Sequence, residues 1–299
     1  GAPWKGAGVA IPVFSLRREK GFGVGEFSDL TLLADWASSV GITMIQILPV
    51  NDTVATHTWH DSYPYAAISV FALHPLYINL LKIGKLHSAI TQRIVDAQGE
   101  YLDLLGKIDY EAVMTLKSRF FKLIYDQQKE EFLADDAFLA FFSRNEHWLK
   151  PYAAFSYLRD LFNTPDFTRW DGFTALTPGL LRELTDPAAP HYDDIAIHYF
   201  IQYQAHCQLL EAAEYARSRG VVLKGDIPIG IYRNSVDAWL NPRLFHMDCQ
   251  AGAPPDDFSV TGQNWRFPTY NWEAMASDNF SWWQQRLRQM SSYFDAFRI

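Results

Sequence analysis

The feature that most constrains this chain is a recurring apolar run, helix-length segment and second apolar run. "GVAIPVF" (8–14) is a short β-branched stretch bounded by glycine and polar residues, and it reads as a buried strand. "SDLTLLADWASSVG" (28–41) follows, with Ser28 as N-cap, Leu30, Leu33, Ala37 and Val40 on one face, and Gly41 at the C-cap position. "ITMIQILPV" (42–50) is a second apolar run. Two apolar strands joined by a helix make a right-handed βαβ unit with parallel strands. The pattern returns late in the chain. Residues 193–219 have helical spacing at Phe200, Tyr203, Cys207, Leu210 and Ala213, and Gly220 ends that helix. "VVLKGDIPI" (221–229) reads as a third strand, "WWQQRLRQMSSY" (282–293) as a helix, and the terminal "FDAFRI" as a fourth buried strand. Four parallel strands separated by helical crossovers mean a doubly wound sheet or a (β/α)8 barrel.

Residues 51–220 separate the second strand from the third and are mostly helical by pattern, notably 110–162. An ordinary crossover needs a few tens of residues, so this stretch is expected to be an inserted helical subdomain walling one side of a site. The expected division is 1–60 as the first βαβ unit, 61–192 as the insertion, and 193–299 as strands three and four with a long loop in the 250s. At 48% hydrophobic and 20% charged, the chain has material for a substantial core. A net charge of -8 argues against non-specific nucleic-acid binding, and no apolar run is long enough to span a membrane. Two cysteines are too few for a disulfide framework, which suits a reducing compartment. Aromatics make up 15% of residues; on composition alone they read first as a large core, with the stacking of sugar rings as the lesser alternative.

Several short stretches carry candidate chemistry. "KGFGVGEF" (20–27) misplaces its third glycine for a dinucleotide fingerprint and lacks the Gly-Lys-Ser/Thr of a phosphate loop, so it reads as a turn. "HTWHDSYPY" (57–65) groups His57, His60 and Asp61 without further metal ligands at suitable spacing. A loop presenting Trp59, Tyr63 and Tyr65 to a ligand and a purely structural loop both remain open. Asp226 in "KGDIPIG" (224–230) sits at a strand C-terminus, where chemistry collects in parallel α/β folds; a structural pair with Lys224 is the alternative. "GAPPDDFSVTGQNWRFPTYNW" (252–272) is long enough for a binding loop, and a plain exposed connection is the other reading. Arg298 ends the fourth strand. A carboxylate beside it would be held ionised, as a nucleophile requires.

Taken in order, "GAGVAIPVFSLRREKGFGVGEFSDL", "IQILPVNDT", "DSYPYAAISVFALHPLY", "GDIPIGIYRNSVDAWLNPRLFHMD", "GAPPDDFSVTGQNWRFPTYNWE" and "AFRI" resemble the 4-α-glucanotransferases of glycoside hydrolase family 77, the amylomaltases or disproportionating enzymes. "SVFALHPLY" and "RNSVDAW" look like the long-form cytosolic members. The resemblance covers nearly the whole chain and is weakest in the helical insertion. It implies the first half of a TIM (β/α)8 barrel with a large helical insertion between strands 2 and 3. It also implies retaining transfer of α-1,4-glucosyl units between maltose or maltodextrin and a branched α-glucan acceptor, in the cytoplasm, with no metal or organic cofactor. The family's nucleophilic aspartate is expected immediately after Ile299, so the chain alone is expected to be inactive. Arg298 and Asp226 are the implied catalytic-centre residues. Tyr65, Asp61 and Ser62 are implied on the donor side, and Asp256 and Trp265 on the loop over the acceptor. Short amylomaltases carry an aromatic where Asp257 stands here. Starch-binding modules are expected before "GAPWKGAG". A glucan-binding protein without catalysis, and a hydrolase on the same barrel, are the rival expectations.

Overall fold

The computed structural model describes residues 5–299; the first half of the expected N-terminal junction, residues 1–4, lies outside them. The central element is a parallel four-stranded sheet, ordered as in the chain: β1 (Ala7–Ala10), β2 (Ile42–Gln46), β3 (Val222–Asp226) and β4 (Ala296–Arg298). Helix α1 (Asp29–Ser39) joins β1 to β2. Between β2 and β3 come α2 (Ala89–Asp103), α3 (Tyr110–Leu133), α4 (Asp136–Leu161), α5 (Pro178–Leu184) and α6 (Tyr192–Ser218). Short helices α7 (Val236–Leu240) and α8 (Trp272–Ser277) and the longer α9 (Ser281–Ser291) lie between β3 and β4.

Strand pleating explains which face is sealed. Val9, Ile45 and Leu223 share one face by register, and Ile45 and Leu223 are each 1% exposed beneath the helices. On the opposite face Ala10 is exposed and Gln46, Lys224 and Ala296 are half-buried. The expectation of fully buried strands is therefore corrected. β1 and β4 are sheet edges among the described residues, so Ala7, Gly8 and Ala10 are exposed and the terminal run is only half-buried before exposed Arg298. The strands are also shorter than the apolar runs; Val13–Ser15 turns instead into a 3-10 helix.

Helix α1 lies where expected, but its N-cap and its buried face differ from the expectation. Gly41 sits just past the helix at φ +79°, where a side chain would be strained. Ser28 occupies the cap position but caps nothing; its Oγ accepts from Arg18 and from Asn79 Nδ2, both at 3.1 Å. Val40 points outward and Ala34 takes its place in the buried face. The "KGFGVGEF" glycines do form a turn. Gly25 packs so tightly that a Cβ would lie 1.8 Å from the Val13 carbonyl oxygen.

The helical segment is fastened to the βα turn by a buried charge cluster. Lys117 on α3, completely buried, donates to Glu26 and to the Leu76 and Ile78 carbonyls at 2.6 and 2.7 Å. Glu26 also receives Arg18 at 2.6 Å, and Arg18 reaches Asp29 at 2.5 Å. Burial pushes the Lys117 ammonium down and the Glu26 carboxyl up, and their mutual contact opposes both shifts.

Candidate active site

The carboxyl ends of β3 and β4 bring two expected residues together. Parallel register places Asp226 beside Arg298, and pleating puts both side chains on the less covered face. Arg298 Nη1 lies 3.3 Å from Asp226 Oδ2. The same oxygen accepts the Tyr65 hydroxyl at 2.6 Å, so a residue 161 positions away completes the group. Burial, followed by the Asp226 hydrogen bond, raises the Tyr65 phenol to about 12, keeping it a donor at neutral pH. The Asp226 side chain is 3% exposed whereas Arg298 is 54% exposed. Asp226 Oδ1 takes no hydrogen bond from any described residue and remains an acceptor for a hydroxyl. The alternative pair with Lys224 does not form; Arg298 and Tyr65 occupy the carboxylate instead.

Gly225 shows how closely this strand end is packed. A Cβ there would lie 2.6 Å from the Phe294 ring. One residue further on, the Ile227 amide donates to the Arg298 carbonyl at 2.8 Å. Backbone contacts thus fix both strand ends independently of the side-chain pair.

The 51–65 loop has its own internal frame. Asp61 is 4% exposed, and its carboxylate accepts the Thr56 amide at 3.0 and 3.1 Å and the Thr56 hydroxyl at 2.9 Å. Its charge is spent holding the loop. His57 pairs with Asp160 at 2.7 Å and His60 stacks on Trp59 at 4.0 Å, so the His57, His60, Asp61 group disperses to separate partners. No group of three or more His, Cys, Asp or Glu side chains among the described residues is placed to hold a metal ion. Ser62 and Trp59 line a 560 Å³ cavity, shared with Asn51, Thr53, His74 and Tyr110. Tyr63 is 56% exposed, with its ring 5.7 Å from that of Tyr65.

His74 and Tyr110 in that cavity wall were not anticipated from sequence. Tyr110 opens α3, and its distance in the chain from the 51–65 loop hides the contact. The Leu76 amide donates to His74 Nδ1 at 3.0 Å, so neutral His74 carries its proton on Nε2 and donates it to Tyr110 at 2.8 Å. Burial, with Lys117 nearby, lowers His74 to about 3.

The 250s loop rises from the segment just past Asp226. Tyr270 donates to the Ile229 carbonyl at 2.7 Å and Arg233 to the Cys249 carbonyl at 3.0 Å. Two-residue ladders, 245–246 with 269–270 and 252–253 with 263–264, stiffen it. Asp256 turns the tip by accepting the Phe258 and Ser259 amides at 2.9 and 2.8 Å. Trp265 is 36% exposed and donates to Gln263 at 2.9 Å. Neither Asp256 nor Trp265 bonds to the Tyr65–Asp226–Arg298 group.

A carboxylate held by arginine and tyrosine sits at the strand ends, and the sequence that builds it matches a known family pattern across most of the chain. The family pattern described as 4-alpha-glucanotransferase, glycoside hydrolase family 77, matches residues 11–299. The chain belongs to this family. It is 50% identical over its whole length to the 4-alpha-glucanotransferase DPE2 of Oryza sativa subsp. japonica, covering 31% of that protein. It is 33% identical to the 4-alpha-glucanotransferase of Chlamydia trachomatis serovar D over 98% of the chain and 54% of that relative. The solved amylomaltase of Streptococcus agalactiae in complex with acarbose superposes with a TM-score of 0.79 at 25% identity, over 99% of this chain and 59% of that one. The Corynebacterium glutamicum amylomaltase shares the fold, with a TM-score of 0.79 over 98% of this chain and 40% of that one. The chain therefore spans between about a third and three-fifths of these relatives.

Proposed function

We propose that this chain forms part of a 4-α-glucanotransferase, moving α-1,4-linked glucosyl units from maltose or maltodextrin to a branched glucan by retaining double displacement. The observation that carries this reading is the Tyr65–Asp226–Arg298 group at the ends of adjacent parallel strands. Such strand ends are where barrel enzymes assemble their chemistry. On this reading the four strands are the first half of a (β/α)8 barrel and residues 61–192 are its inserted helical subdomain. The attacking aspartate comes from sequence outside these 299 residues, beside Arg298, whose guanidinium keeps it ionised. It attacks the anomeric carbon while a general acid, also outside the chain, protonates the departing glycosidic oxygen. The acceptor hydroxyl then displaces the enzyme carboxylate, giving up its proton to the same group acting as base.

The roles of this chain's residues follow from their free atoms. Asp226 Oδ1 accepts a donor-sugar hydroxyl, and Tyr65 fixes the other carboxylate oxygen. Ser62 offers its hydroxyl in the neighbouring cavity, and Asp61 shapes the donor loop through Thr56. Asp256 holds the turn of the acceptor loop, and Trp265 offers an aromatic edge to the acceptor glucan. Cys207 and Cys249 are free thiols, in keeping with a cytoplasmic setting, and no helix among the described residues is long and apolar enough to cross a membrane. Starch-binding modules preceding this region would deliver the branched acceptor.

Glucose release from maltose, with and without glycogen, tests the reading on the longer protein beside the 299-residue chain. Glycogen-dependent release by the longer protein only is expected. Turnover by the short chain refutes the nucleophile's assignment. Release without glycogen points to a hydrolase, and silence from a folded longer protein points to a glucan-binding protein.

A further inference from the structure

A second cavity, of 740 Å³, opens between α4, α6, α9 and the end of α7. Its lining includes two arginines, Arg144 from α4 and Arg288 from α9, and two histidines, His147 from α4 and His206 from α6. Burial lowers both imidazoles, His206 to about 4, so the guanidinium groups carry the charge. No aspartate or glutamate lines it, although the chain has 34 acidic residues against 26 lysines and arginines. Neither Arg144 nor Arg288 forms an ion pair with any described residue. Two uncompensated guanidinium groups facing one acid-free cavity leave a net positive site in a negatively charged protein. Guanidinium forks bind planar or tetrahedral oxyanions through paired N–H donors.

The rest of the lining suits a ligand larger than a bare anion. Asn241, Gln285 and Gln289 supply neutral amides that both donate to and accept from hydroxyls. The volume falls within the range of small-molecule sites and exceeds what orthophosphate fills. His206 is pinned, with Nδ1 2.6 Å from the Tyr293 hydroxyl and its ring 4.8 Å from Phe141. Asn145 is likewise fixed, its amide donating to the Phe141 carbonyl at 2.7 Å and its oxygen accepting Trp148 at 2.9 Å. These contacts fix the cavity floor.

We propose that this cavity binds a phosphorylated sugar, with the phosphate taken by Arg144 and Arg288 and the sugar hydroxyls by Asn241, Gln285 and Gln289. The site is separate from the strand-end group and does not depend on the transfer reaction. Its position makes it a brace: occupancy ties α4 of the helical segment to α9, which runs into β4 and Arg298.

The test uses the longer protein, with calorimetric titration and thermal unfolding against glucose 1-phosphate, glucose and inorganic phosphate. Glucose 1-phosphate is expected to bind and raise Tm, with glucose and phosphate each weaker by about tenfold or more, since a hydrogen bond to a charged group carries at least that factor. Arg144→Gln and Arg288→Gln are expected to weaken glucose 1-phosphate by about tenfold each, leaving the unliganded Tm and basal transfer unchanged. Both arginines are exposed, so these variants fold. The proposal is overturned if glucose 1-phosphate fails to bind at about 10 mM, or if its binding survives in the double variant. It is equally overturned if phosphate alone binds as tightly and this binding is lost in the double variant, which makes the site a plain anion site, or if the same holds for glucose, which makes it a neutral sugar site.

Discussion

Replacing Lys117 with methionine removes the cation that holds the helical segment to the βα turn. The side chain is wholly buried and makes three hydrogen bonds, to Glu26 and to two backbone carbonyls. Taking one partner from a buried ion pair costs about 3–5 kcal/mol, because the other charge stays buried. Each orphaned carbonyl adds about 1 kcal/mol or more. Arg18 still neutralises part of Glu26 and the methionine fills most of the vacated volume, so the net loss is expected at about 4–6 kcal/mol. For a region of this size that lowers Tm by roughly 6–10 °C, read by calorimetry on the longer protein. The double variant Glu26→Gln/Lys117→Met removes both charges and is expected to recover a large part of the loss. A Lys117→Met protein melting within about 2 °C of wild type would refute the reasoning. So would a double variant as unstable as the sum of its singles.

Three further outcomes follow from the same geometry. His74 is held neutral at about 3 against an unfolded value near 6.5, so between those values the unfolded chain binds the extra proton and stability falls with falling pH. Wild type should therefore lose about 2 kcal/mol more than His74→Asn between pH 7 and pH 5, and equal losses in urea titrations would contradict it. Asp52 and Asp237, raised by burial to about 6, work in the opposite direction, but they are common to both proteins and cancel. Tyr65→Phe removes the donor to Asp226 and should lower kcat/KM for maltose by about 10-fold to 100-fold at unchanged Tm; full activity would show that the hydroxyl is idle. Gly225→Ala forces a methyl into the Phe294 ring and should cost about 1–3 kcal/mol by chemical denaturation, and a neutral result would show that the strand end yields easily.

The parallel sheet was legible because apolar runs and helical spacing are local signals: α1, β2, β3 and β4 fall inside the segments read from sequence, and β1, α6 and α9 begin one residue before theirs. Burial was less legible. Periodicity tells which residues share a face but not whether a second layer covers it, so Ala10 and Arg298 were misjudged as parts of buried strands. Asp226 and Arg298 could be paired from sequence only by counting along adjacent strand ends, and the structure brings them to 3.3 Å. Tyr65 joins them across 161 residues, a contact with no sequence-local trace beyond the family resemblance. Lys117 passed unnoticed as an ordinary charged helix residue. Its spacing from Val113, Phe120, Phe121 and Ile124, all buried, was the available clue that it points inward.

The most direct measurement of the central claim compares wild type, Asp226→Asn and Arg298→Gln in the longer protein, by initial rates of glucose release from maltose with and without glycogen. Glycogen-dependent release by wild type, falling at least about a hundredfold in both variants with Tm unchanged, is the result the strand-end geometry requires. Variants within about threefold of wild type, or release that ignores glycogen, would contradict it.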